Sequence, residues 1–481
     1  MPIQEKQLIV LSLITVFLTV LVLSTEAGLE PQESVPRYYA PRADANILPA
    51  SPEKRISPTK KNTNPAEVTT NPSVSIVYNP PITTVVNPST TSIVNSPAIT
   101  IVNPSVAEAT NFPSATIATP PTITGLGRHF IDPDFGTQMI QVTNQNDGTR
   151  CVNAYSYWPS FNLDSTKIFI ACDENPILYH FDPVNFSITK KEPLFRNPPP
   201  SVNLNWQDAL WSDKSPNILF ARLGISIWSY NTDDATYLPL KDFSKELPGS
   251  YITQLSKSVD DNRFAFTIKD PKDGYNTVGY AVWDRREDKI IYNARTSDVD
   301  EVQLDKSGQY LTVKTTKQAE GDIRMKIVEL STSKVTSLTS GAPDFAVGHS
   351  DNGRGTILGY DNWNNTFVLT SLADASNKKV ILNMKKDWQA SHVSLLGNDE
   401  GWALISFYAG ILGPNPIYKD QIILAATDGS GRTKSLASHN TTYREYWDSP
   451  RASLSRDGKF ALFTSNWGDP KRRDVYIIRI P

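Results

Sequence analysis

The chain has 481 residues, of which 39% are hydrophobic and 20% charged, so it is long and apolar enough to build a large folded core. Its 50 acidic and 47 basic residues leave a formal net charge of −3 at pH 7, with the two signs interspersed. This balance provides no broad basic field for a phosphate backbone, so nucleic acid is excluded as an expected partner.

The first residues predict a targeting segment. Leu8–Leu23 is an apolar stretch, shorter than the roughly 20 residues of a spanning helix, and Thr25 and Ala27 follow at the small-residue positions of a cleavage site. We therefore expect residues 1–27 to be a signal peptide, with an uncleaved membrane anchor and a buried helix as alternatives. The expected localisation is secreted, periplasmic or cell-surface, and a membrane is contacted only through this segment if it stays uncleaved.

Residues 28–125 are low in charge and rich in Pro, Thr, Ser and Asn. Asparagine recurs every eight residues, and a proline follows each asparagine either directly or after one intervening residue. The positions are Asn71, Asn79, Asn87, Asn95, Asn103 and Asn111. Proline removes a backbone donor and holds its predecessor in extended geometry, which prevents a packed sheet or helix. The segment is predicted to be a disordered spacer, either an extended holder for the next domain or a tether without a further role.

Residues 126–481 repeat one pattern of a turn aspartate followed by two apolar runs. The repeat positions, spaced 49, 47, 45, 46, 48 and 58 residues apart, are Asp164, Asp213, Asp260, Asp305, Asp351, Asp399 and Asp457. A period of about 40 to 50 residues built from short strands is typical of a β-propeller. The sequence thus predicts an all-β, seven-bladed β-propeller, with six blades as the rival.

The last repeat runs out of chain before a fourth strand. After Val475–Ile480 only Pro481 remains, whereas the alternating segment Thr137–Thr143 lies upstream of the first blade and has none of its own. Pairing these two segments would close the ring and cover an open sheet edge. We therefore predict that the N-terminal strand closes the last blade.

The segment Ser453–Trp467, with its Asp-Gly hairpin before an apolar strand, and the turn Thr427–Gly431 resemble bacterial-type WD40-like propellers of the TolB kind. The resemblance covers the propeller and implies a periplasmic or extracellular scaffold for protein contacts. More distantly, the chain is similar to the propellers of oligogalacturonate lyases. That second resemblance implies a central funnel in which several histidines hold manganese.

The histidines allow the enzyme comparison to be examined. The chain has five: His129, His180, His349, His392 and His439. His349 precedes Asp351 by two residues and His392 precedes Asp399 by seven, so the two occupy different places in the repeat. A divalent metal held by His349, His392 and Gln389 is the alternative to ordinary hydrogen-bonded loop histidines, and no cofactor is otherwise predicted.

Four tryptophans precede the turn aspartates by 6 to 11 residues, where loops should open onto one mouth of the ring. Aromatic faces with carboxylates nearby suit sugar rings or peptide side chains. The candidate binding residues are Trp158, Trp206, Asp208, Trp388, Trp447 and Asp448. The alternative for the tryptophans is packing between blades.

Cys151 and Cys172 are the only cysteines, 21 residues apart. In an oxidising compartment such a pair favours a disulfide across the first hairpin, with two buried thiols as the alternative. The sequons Asn185-Phe-Ser, Asn364-Asn-Thr and Asn440-Thr-Thr would matter in a host that glycosylates.

Two functional hypotheses follow. The first is a secreted or surface-tethered propeller that binds a protein or polysaccharide through the loops at the mouth of the ring. The alternative is a glycan-acting enzyme, either similar to oligogalacturonate lyase or a hydrolase, with its site in the central funnel. The sequence has no His-Glu-x-x-His, Gly-x-Ser-x-Gly or Walker motif, so a non-enzymatic role is favoured and catalysis stays open.

Overall fold

The computed structural model describes residues 126–315, 325–338, 349–361, 364–385, 387–411 and 416–481. The predicted leader (1–27) and the predicted spacer (28–125) lie outside the described residues. All described residues belong to one compact unit. Among them, no helix has the length and apolar character needed to cross a membrane.

The described strands form seven antiparallel sheets. The chain begins with β1 (Arg128–Ile131) and β2 (Gln138–Gln141), which pair with each other and belong to the last sheet. Blades 1 to 3 then follow in order, each with four strands. They are β3 (Cys151–Asn153), β4 (Lys167–Cys172), β5 (Asn175–Asp182) and β6 (Ser187–Pro193); β7 (Asn205–Trp211), β8 (Ile218–Leu223), β9 (Ser226–Asn231) and β10 (Thr236–Asp242); and β11 (Tyr251–Lys257), β12 (Arg263–Asp270), β13 (Asn276–Asp284) and β14 (Lys289–Arg295).

Blades 4 to 6 repeat this arrangement. They are β15 (Glu301–Leu304), β16 (Tyr310–Lys314), β17 (Met325–Glu329) and β18 (Lys334–Ser337); β19 (Asp351–Asn352), β20 (Thr356–Asp361), β21 (Thr366–Ser371) and β22 (Lys378–Asn383); and β23 (Trp388–Ser394), β24 (Trp402–Ile411), β25 (Gln421–Ala426) and β26 (Thr433–Ser438). Two short 3-10 helices occur as well, Pro271–Asp273 in blade 3 and Tyr446–Asp448 in the loop before blade 7.

Blade 7 confirms the predicted closure of the ring. It contains β27 (Ser453–Leu454), β28 (Phe460–Ser465) and β29 (Asp474–Arg479), and its strand order is β1-β2-β29-β28-β27. Met139 of β2 lies opposite Ile478 of β29. The all-β, seven-bladed prediction is therefore confirmed and the six-bladed rival is wrong. β1, which the sequence analysis did not predict, adds a fifth strand to the outer edge.

The position of each strand in its blade explains which types of residue it contains. The second strand β4 is buried along its whole length because neighbouring sheets cover both of its faces, so it consists mainly of apolar and β-branched residues. The outer strand β10 consists of exposed and half-buried residues without a fully buried one, since only one of its faces is covered, and a register shift between Pro239 and Lys241 interrupts the alternation. The cores lie between adjacent blades, as in the contacts of Phe181 with Phe460, whose ring centroids are 5.0 Å apart.

One repeat aspartate departs from the prediction. Asp351 was expected in a turn, but it lies inside strand β19, and the turn of blade 5 is formed by the residues after it. Its buried carboxylate accepts hydrogen bonds from Gln303 Nε2 of blade 4 at 2.7 Å and from Leu395 N of blade 6 at 2.6 Å. The carboxylate thus links three consecutive blades, a role that requires a strand position facing the axis.

The end of the ring where the first strands finish is crossed by ion pairs. Arg456 of blade 7 pairs with Asp213 of blade 2 at 2.6 Å, and Lys257 of blade 3 pairs with the same carboxylate at 2.5 Å. Lys306 of blade 4 pairs with Glu400 of blade 6 at 2.9 Å. Blades that are not adjacent meet only near the axis, so these contacts hold the ring together across its centre.

Candidate functional site

The opposite end of the ring, where the first strands begin, collects the chemically active side chains. We call this end the mouth. Its central group of side chains, the axial cluster, consists of Tyr155, His349, His392, Tyr408, Tyr446 and Arg451. The members come from blades 1, 5, 6 and 7, so the ring closure brings them together.

A long bulge in blade 1 delivers the first tyrosine. β3 pairs with β4 as far as Asn153 opposite Ile170, and pairing resumes only at Phe161 opposite Ile168. The intervening chain leaves the sheet and carries Tyr155 into contact with the axial cluster. Bulges of this kind redirect side chains at the ends of sheets.

Three side chains of the cluster form a hydrogen-bonded chain. Tyr446 Oη donates to Tyr155 Oη at 2.7 Å, and Tyr155 Oη lies 2.5 Å from His349 Nδ1. Desolvation raises the pKa of Tyr155 well above its usual value, so its hydroxyl keeps its proton. Desolvation likewise lowers the pKa of His349 to about 3, with Lys314 adding to the effect, so the imidazole is neutral at physiological pH.

His392 is enclosed without hydrogen bonds. It is 0% exposed, and neither of its ring nitrogens has a hydrogen-bond partner among the described residues. Its ring centroid lies 4.2 Å from that of His349 and 5.0 Å from that of Tyr408, on which it stacks. Desolvation, reinforced by His349, lowers its pKa well below the ordinary value, so it is neutral. A neutral imidazole has one donor and one acceptor, and both are left open.

Arg451 is the cation of the axial cluster. It is 1% exposed, and its backbone takes a φ of 43°, which is uncommon for a residue with a side chain. One guanidinium nitrogen donates to the Trp447 carbonyl at 3.1 Å, and the group lies 4.6 Å from the centroid of the Trp447 ring. Its Nε has no partner, and within the described part of the chain no carboxylate forms an ion pair with it. Desolvation lowers its pKa to about 10.

An acidic group stands beside the cluster. Tyr157 Oη donates to Glu301 Oε2 at 2.6 Å, and Lys314 Nζ lies 3.2 Å from Asp300 Oδ2. Burial raises the pKa of Glu301, whereas the carboxylates of Glu301 and Asp300 outweigh burial and raise the pKa of Lys314. Blade 4 therefore presents two carboxylates together with a lysine at the mouth, whereas blade 7 presents Arg451, which has no carboxylate partner among the described residues.

The structure distributes the predicted tryptophans unequally. Trp158 is buried and donates its indole N–H to the Leu255 carbonyl at 3.0 Å, and Trp206 is half-buried against the core that blades 1 to 3 share. Trp447 is half-buried over Arg451. Trp388 begins β23, opposite Ile411. Among the predicted tryptophans whose side chains the structure describes, Trp447 covers the guanidinium of the axial cluster.

The two predicted carboxylates are committed to ion pairs. Asp208 is 2% exposed, with Oδ2 3.0 Å from Arg222 Nε. Asp448 is 0% exposed, with Oδ2 3.1 Å from Arg444 Nε. Their contacts make them internal partners of arginines, and their predicted binding role stays a prediction.

The predicted metal ligands are brought together in part. The rings of His349 and His392 are neighbours, with centroids 4.2 Å apart, and both nitrogens of His392 lack a hydrogen-bond partner among the described residues. Gln389 lies three residues before His392 on β23 and therefore on the opposite face of the sheet, where its amide nitrogen donates to the Ile417 carbonyl at 2.5 Å. In the described ranges no group of three or more His, Cys, Asp and Glu side chains is placed to hold a metal ion. The metal site stays a prediction.

Sequence reasoning missed Arg451 and the tyrosines of the axial cluster. The available signal was local: Tyr155-Ser-Tyr-Trp158 and Tyr443-Arg-Glu-Tyr-Trp447 are aromatic runs just before or within a first strand. Arg451 stands four residues after the second run, with no pattern of its own. Its role becomes visible only through its burial.

The predicted disulfide is present. Cys151 of β3 and Cys172 of β4 lie opposite each other and are bonded. The alternative of two free thiols is therefore wrong. The bond ties the innermost strand of blade 1 to its neighbour, directly before the bulge that carries Tyr155.

Comparison with known proteins gives similarity of fold. No family model and no curated protein matches the chain. The solved structure of oligogalacturonate lyase from Vibrio parahaemolyticus is similar with a TM-score of 0.55 and 13% identity, covering 74% of this chain and 97% of that one. An oligogalacturonate lyase in complex with manganese gives 0.54 and 13%, covering 74% and 96%. The WD40 domain of Neurospora crassa Pan2 gives 0.42 and 11%, covering 68% and 90%.

At these identities the similarity concerns the fold alone. The propeller architecture extends over nearly the whole length of both lyase chains, and it accounts for the resemblance inferred from the sequence. The chain is a seven-bladed propeller with the fold seen in oligogalacturonate lyases.

Proposed function

We propose that this protein binds an acidic glycan at the mouth of its propeller, with a carboxylate of the glycan beside Arg451. The observation that carries the proposal is the buried guanidinium of Arg451, which has no carboxylate partner among the described residues. Buried charges in proteins are normally paired, because an isolated ion loses far more hydration energy than it regains. An anionic ligand would supply the missing partner.

The surroundings of Arg451 suit a sugar better than a simple anion. Tyr157, Tyr443, Tyr446 and Trp447 are half-buried around the axial cluster and offer aromatic faces on which a sugar ring can stack. His392 is enclosed by the rings of Tyr155, His349 and Tyr408, so its open donor and acceptor would meet sugar hydroxyls, which both donate and accept, once a ligand displaced one of these rings. A uronic acid residue combines the carboxylate and the hydroxyls that these groups need.

The proposal includes the compartment. The apolar segment Leu8–Leu23, the spacer over residues 28–125 and the Cys151–Cys172 disulfide together support a secreted or surface-tethered protein, since disulfides persist in oxidising compartments. Fractionation of the native cells would test this. Recovery of the protein in the reducing cytosol would contradict it.

A binding titration tests the ligand. Oligogalacturonates and neutral oligosaccharides of the same length are titrated into the full chain, with tryptophan fluorescence or calorimetry as the readout. Arg451→Gln should weaken oligogalacturonate binding about tenfold or more, because a charge-assisted hydrogen bond in a buried site contributes roughly 1.5–3 kcal/mol. Neutral sugars should bind weakly to both proteins.

The matched control is Arg432→Gln. Arg432 also lies over a tryptophan, 5.5 Å from the Trp402 centroid, but it is exposed and already paired with Asp428 at 2.8 Å. This control should bind as the unmodified protein does. Equal losses in the two variants, or binding that is indifferent to the ligand's charge, would contradict the assignment. The variant Arg451→Lys keeps the positive charge, so it shows whether reduced binding comes from a lost ligand contact or from misfolding.

A glycan-acting enzyme is the second candidate, and the two neutral histidines favour it. His392 is neutral and can accept a proton, and the hydroxyls of Tyr155 and Tyr446 stay protonated and can donate one, although the lowered histidine pKa and the raised tyrosine pKa values make these groups a weak base and weak acids until a ligand changes their surroundings. If the predicted ligands His349, His392 and Gln389 held a divalent metal instead, the metal would supply positive charge to a bound carboxylate, and His392, whose single acceptor nitrogen would be used, would not act as a base. The lyase structures of the same fold provide the substrate class to screen, oligogalacturonate.

A turnover screen discriminates the two candidates. Purified protein is incubated with uronate-containing oligosaccharides, while new reducing ends and the ultraviolet absorbance of an unsaturated product are followed. A lyase produces both signals, and a hydrolase produces reducing ends alone. His392→Ala should abolish either activity and lower the metal content measured by elemental analysis. A metal-free preparation that binds the oligosaccharide without turnover would leave the binding function and exclude the enzyme.

A further inference from the structure

The three glycosylation sequons occupy different structural settings. Asn185 lies in the turn between β5 and β6, and Asn364 lies in the turn between β20 and β21. Asn440 follows β26 in the loop toward blade 7. The first two asparagines are exposed and the third is half-buried. A glycan needs free space around the amide that carries it, so the settings predict different outcomes.

Asn185 stands on an open hairpin tip. Asn185 is exposed and its neighbour Val184 is 82% exposed, although Arg479 of blade 7 donates to the carbonyls of Pro183 and Val184 in the same turn. The turn is held in place by Asp182, which accepts the backbone N–H of Asn185 at 3.0 Å and its side-chain Nδ2 at 2.7 Å. The acceptor amide is therefore both presented and accessible.

Asn364 repeats this geometry in blade 5. Asp361 accepts its backbone N–H at 3.3 Å and its Nδ2 at 2.8 Å, as Asp182 does for Asn185. The hydroxyl residue of the sequon, Thr366, is buried, and its Oγ1 has no hydrogen-bond partner among the described residues. The hydroxyl thus forms no hydrogen bond within the described part of the chain, and it is the group that completes the sequon.

Asn440 is held by the fold. Its backbone has a φ of 52° and its Nδ2 donates to the Ser438 carbonyl at 3.0 Å. The hydroxyl residue Thr442 is fixed on both sides by Asn466, which accepts its N–H at 2.9 Å and donates to its carbonyl at 2.7 Å. The amide hydrogen bond is common to all three sites, but a glycan on this half-buried amide would crowd a loop that Asn466 holds in place.

We propose that Asn185 and Asn364 are N-glycosylation sites and that Asn440 is not. In the transfer, Nδ2 of the asparagine bonds to the anomeric carbon of an oligosaccharide carried on a lipid pyrophosphate. The bond from that carbon to the pyrophosphate oxygen breaks, the lipid pyrophosphate leaves, and the amide proton passes to a base of the transferase. The modification requires passage through a compartment that holds this transferase and donor, and it does not depend on the acidic-glycan site.

The experiment expresses the full chain behind a cleavable secretion leader in a eukaryotic cell that N-glycosylates. Intact mass is measured before and after enzymatic removal of N-glycans, and glycopeptides are mapped. Two sites should be occupied, and Asn185→Gln and Asn364→Gln should each remove one. Ser187→Ala and Thr366→Val should do the same while keeping the asparagines, which separates loss of the sequon from loss of the amide.

Asn440→Gln provides the contrasting variant and should leave the number of glycans unchanged. A secreted protein without glycans, or one carrying a glycan on Asn440, would overturn the proposal. Occupancy of one of the two exposed sites alone would also overturn it, since both share the same turn geometry.

Discussion

Met139 lies directly opposite Ile478, and this antiparallel pair joins the beginning of the propeller to its end. Both side chains are 0% exposed, and they belong to the apolar core between blades 6 and 7. A ring closed in this way has no free strand edge at the junction, and neither terminus can separate without unpairing a buried strand.

Shortening the Met139 side chain in the closing strand should lower the stability of the protein. Met139→Ala removes a buried side chain at the junction and should lower the free energy of unfolding by about 2–5 kcal/mol. Denaturant unfolding measures this loss of stability, and the slope of the unfolding free energy against denaturant concentration should stay unchanged. Gln138→Ala, one residue earlier and exposed, is the control and should change stability by less than about 0.5 kcal/mol. If Met139→Ala and Gln138→Ala lowered stability equally, this would contradict the prediction that packing at the ring closure stabilises the protein.

The disulfide should contribute to stability through the unfolded state. Cys151 and Cys172 are 21 residues apart, and a cross-link over a loop of this length stabilises a protein by about 3 kcal/mol in the chain-entropy description. The double variant Cys151→Ala, Cys172→Ala should therefore unfold at lower denaturant concentration. The unmodified protein under reducing conditions should match it, and no difference between oxidised and reduced protein would contradict the prediction.

Asp351 should make stability depend on pH in a specific direction. Burial raises its pKa to about 6 in the folded protein, above the ordinary value of 3.8. Between these values the folded state binds the proton that the unfolded state has lost, so the contribution of Asp351 to stability falls as pH rises through this window.

The measurement compares unfolding of the unmodified protein and Asp351→Asn from pH 4 to pH 7. The stability of the unmodified protein relative to the variant should decline up to about pH 6 and then level off. Asp399→Asn, which changes an exposed repeat aspartate, should follow the unmodified protein throughout. A difference that rises with pH would mean that the carboxylate is stabilised in its charged form, contrary to the prediction.

Asp208 should matter for folding more than for binding. Its carboxylate lies 3.0 Å from Arg222 Nε, and it also accepts the backbone N–H of Leu255 at 3.3 Å. Asp208→Ala leaves a buried cation unpaired and should destabilise the protein by about 3–5 kcal/mol. Replacing both partners with apolar residues should cost less. A stable Asp208→Ala protein that has lost glycan binding would instead assign the residue to the ligand site.

Substitution of Trp447 should affect ligand binding, whereas substitution of Trp206 should affect stability. Trp447 covers the guanidinium of Arg451, so Trp447→Ala should weaken oligogalacturonate binding by about tenfold, the scale of a binding hot spot of 1–2 kcal/mol. Trp206 packs against the core shared by blades 1 to 3, so Trp206→Ala should lower the unfolding midpoint and leave the affinity of the folded protein unchanged. Ligand titration and denaturant unfolding of both variants measure affinity and stability. A loss of stability in Trp447→Ala together with a loss of affinity in Trp206→Ala would contradict these roles.

The fold was predictable because its signals are local and repeated. Each turn aspartate and the apolar runs after it can be recognised within a few residues, and their period fixes the number of blades. The partner of Thr137–Thr143 followed from counting strands, since blade 7 lacked one. β1 was missed because Arg128–Ile131 is short and has no repeat to mark it.

The candidate site was predictable only in part. His349, His392 and Trp447 were recognised by residue type, and they do lie at the axis or beside it. Asp208 was selected for its position before a repeat aspartate, and its partner Arg222 lies on the next strand, in a register that the repeat does not reveal. Residue type and spacing could not distinguish a carboxylate open to a ligand from one already paired.

The sequence by itself determined the all-β architecture, the seven repeats, the pairing of first and last strands and the Cys151–Cys172 partnership, because each depends on patterns along the chain. Only the tertiary structure decided that Arg451 is buried without an anionic partner among the described residues and that Tyr155 and Tyr446, 291 residues apart, share a hydrogen bond. The physical reason is that a charge or hydroxyl acquires its chemistry from the groups around it and from the exclusion of water. Ring closure sets both by joining segments far apart in the chain.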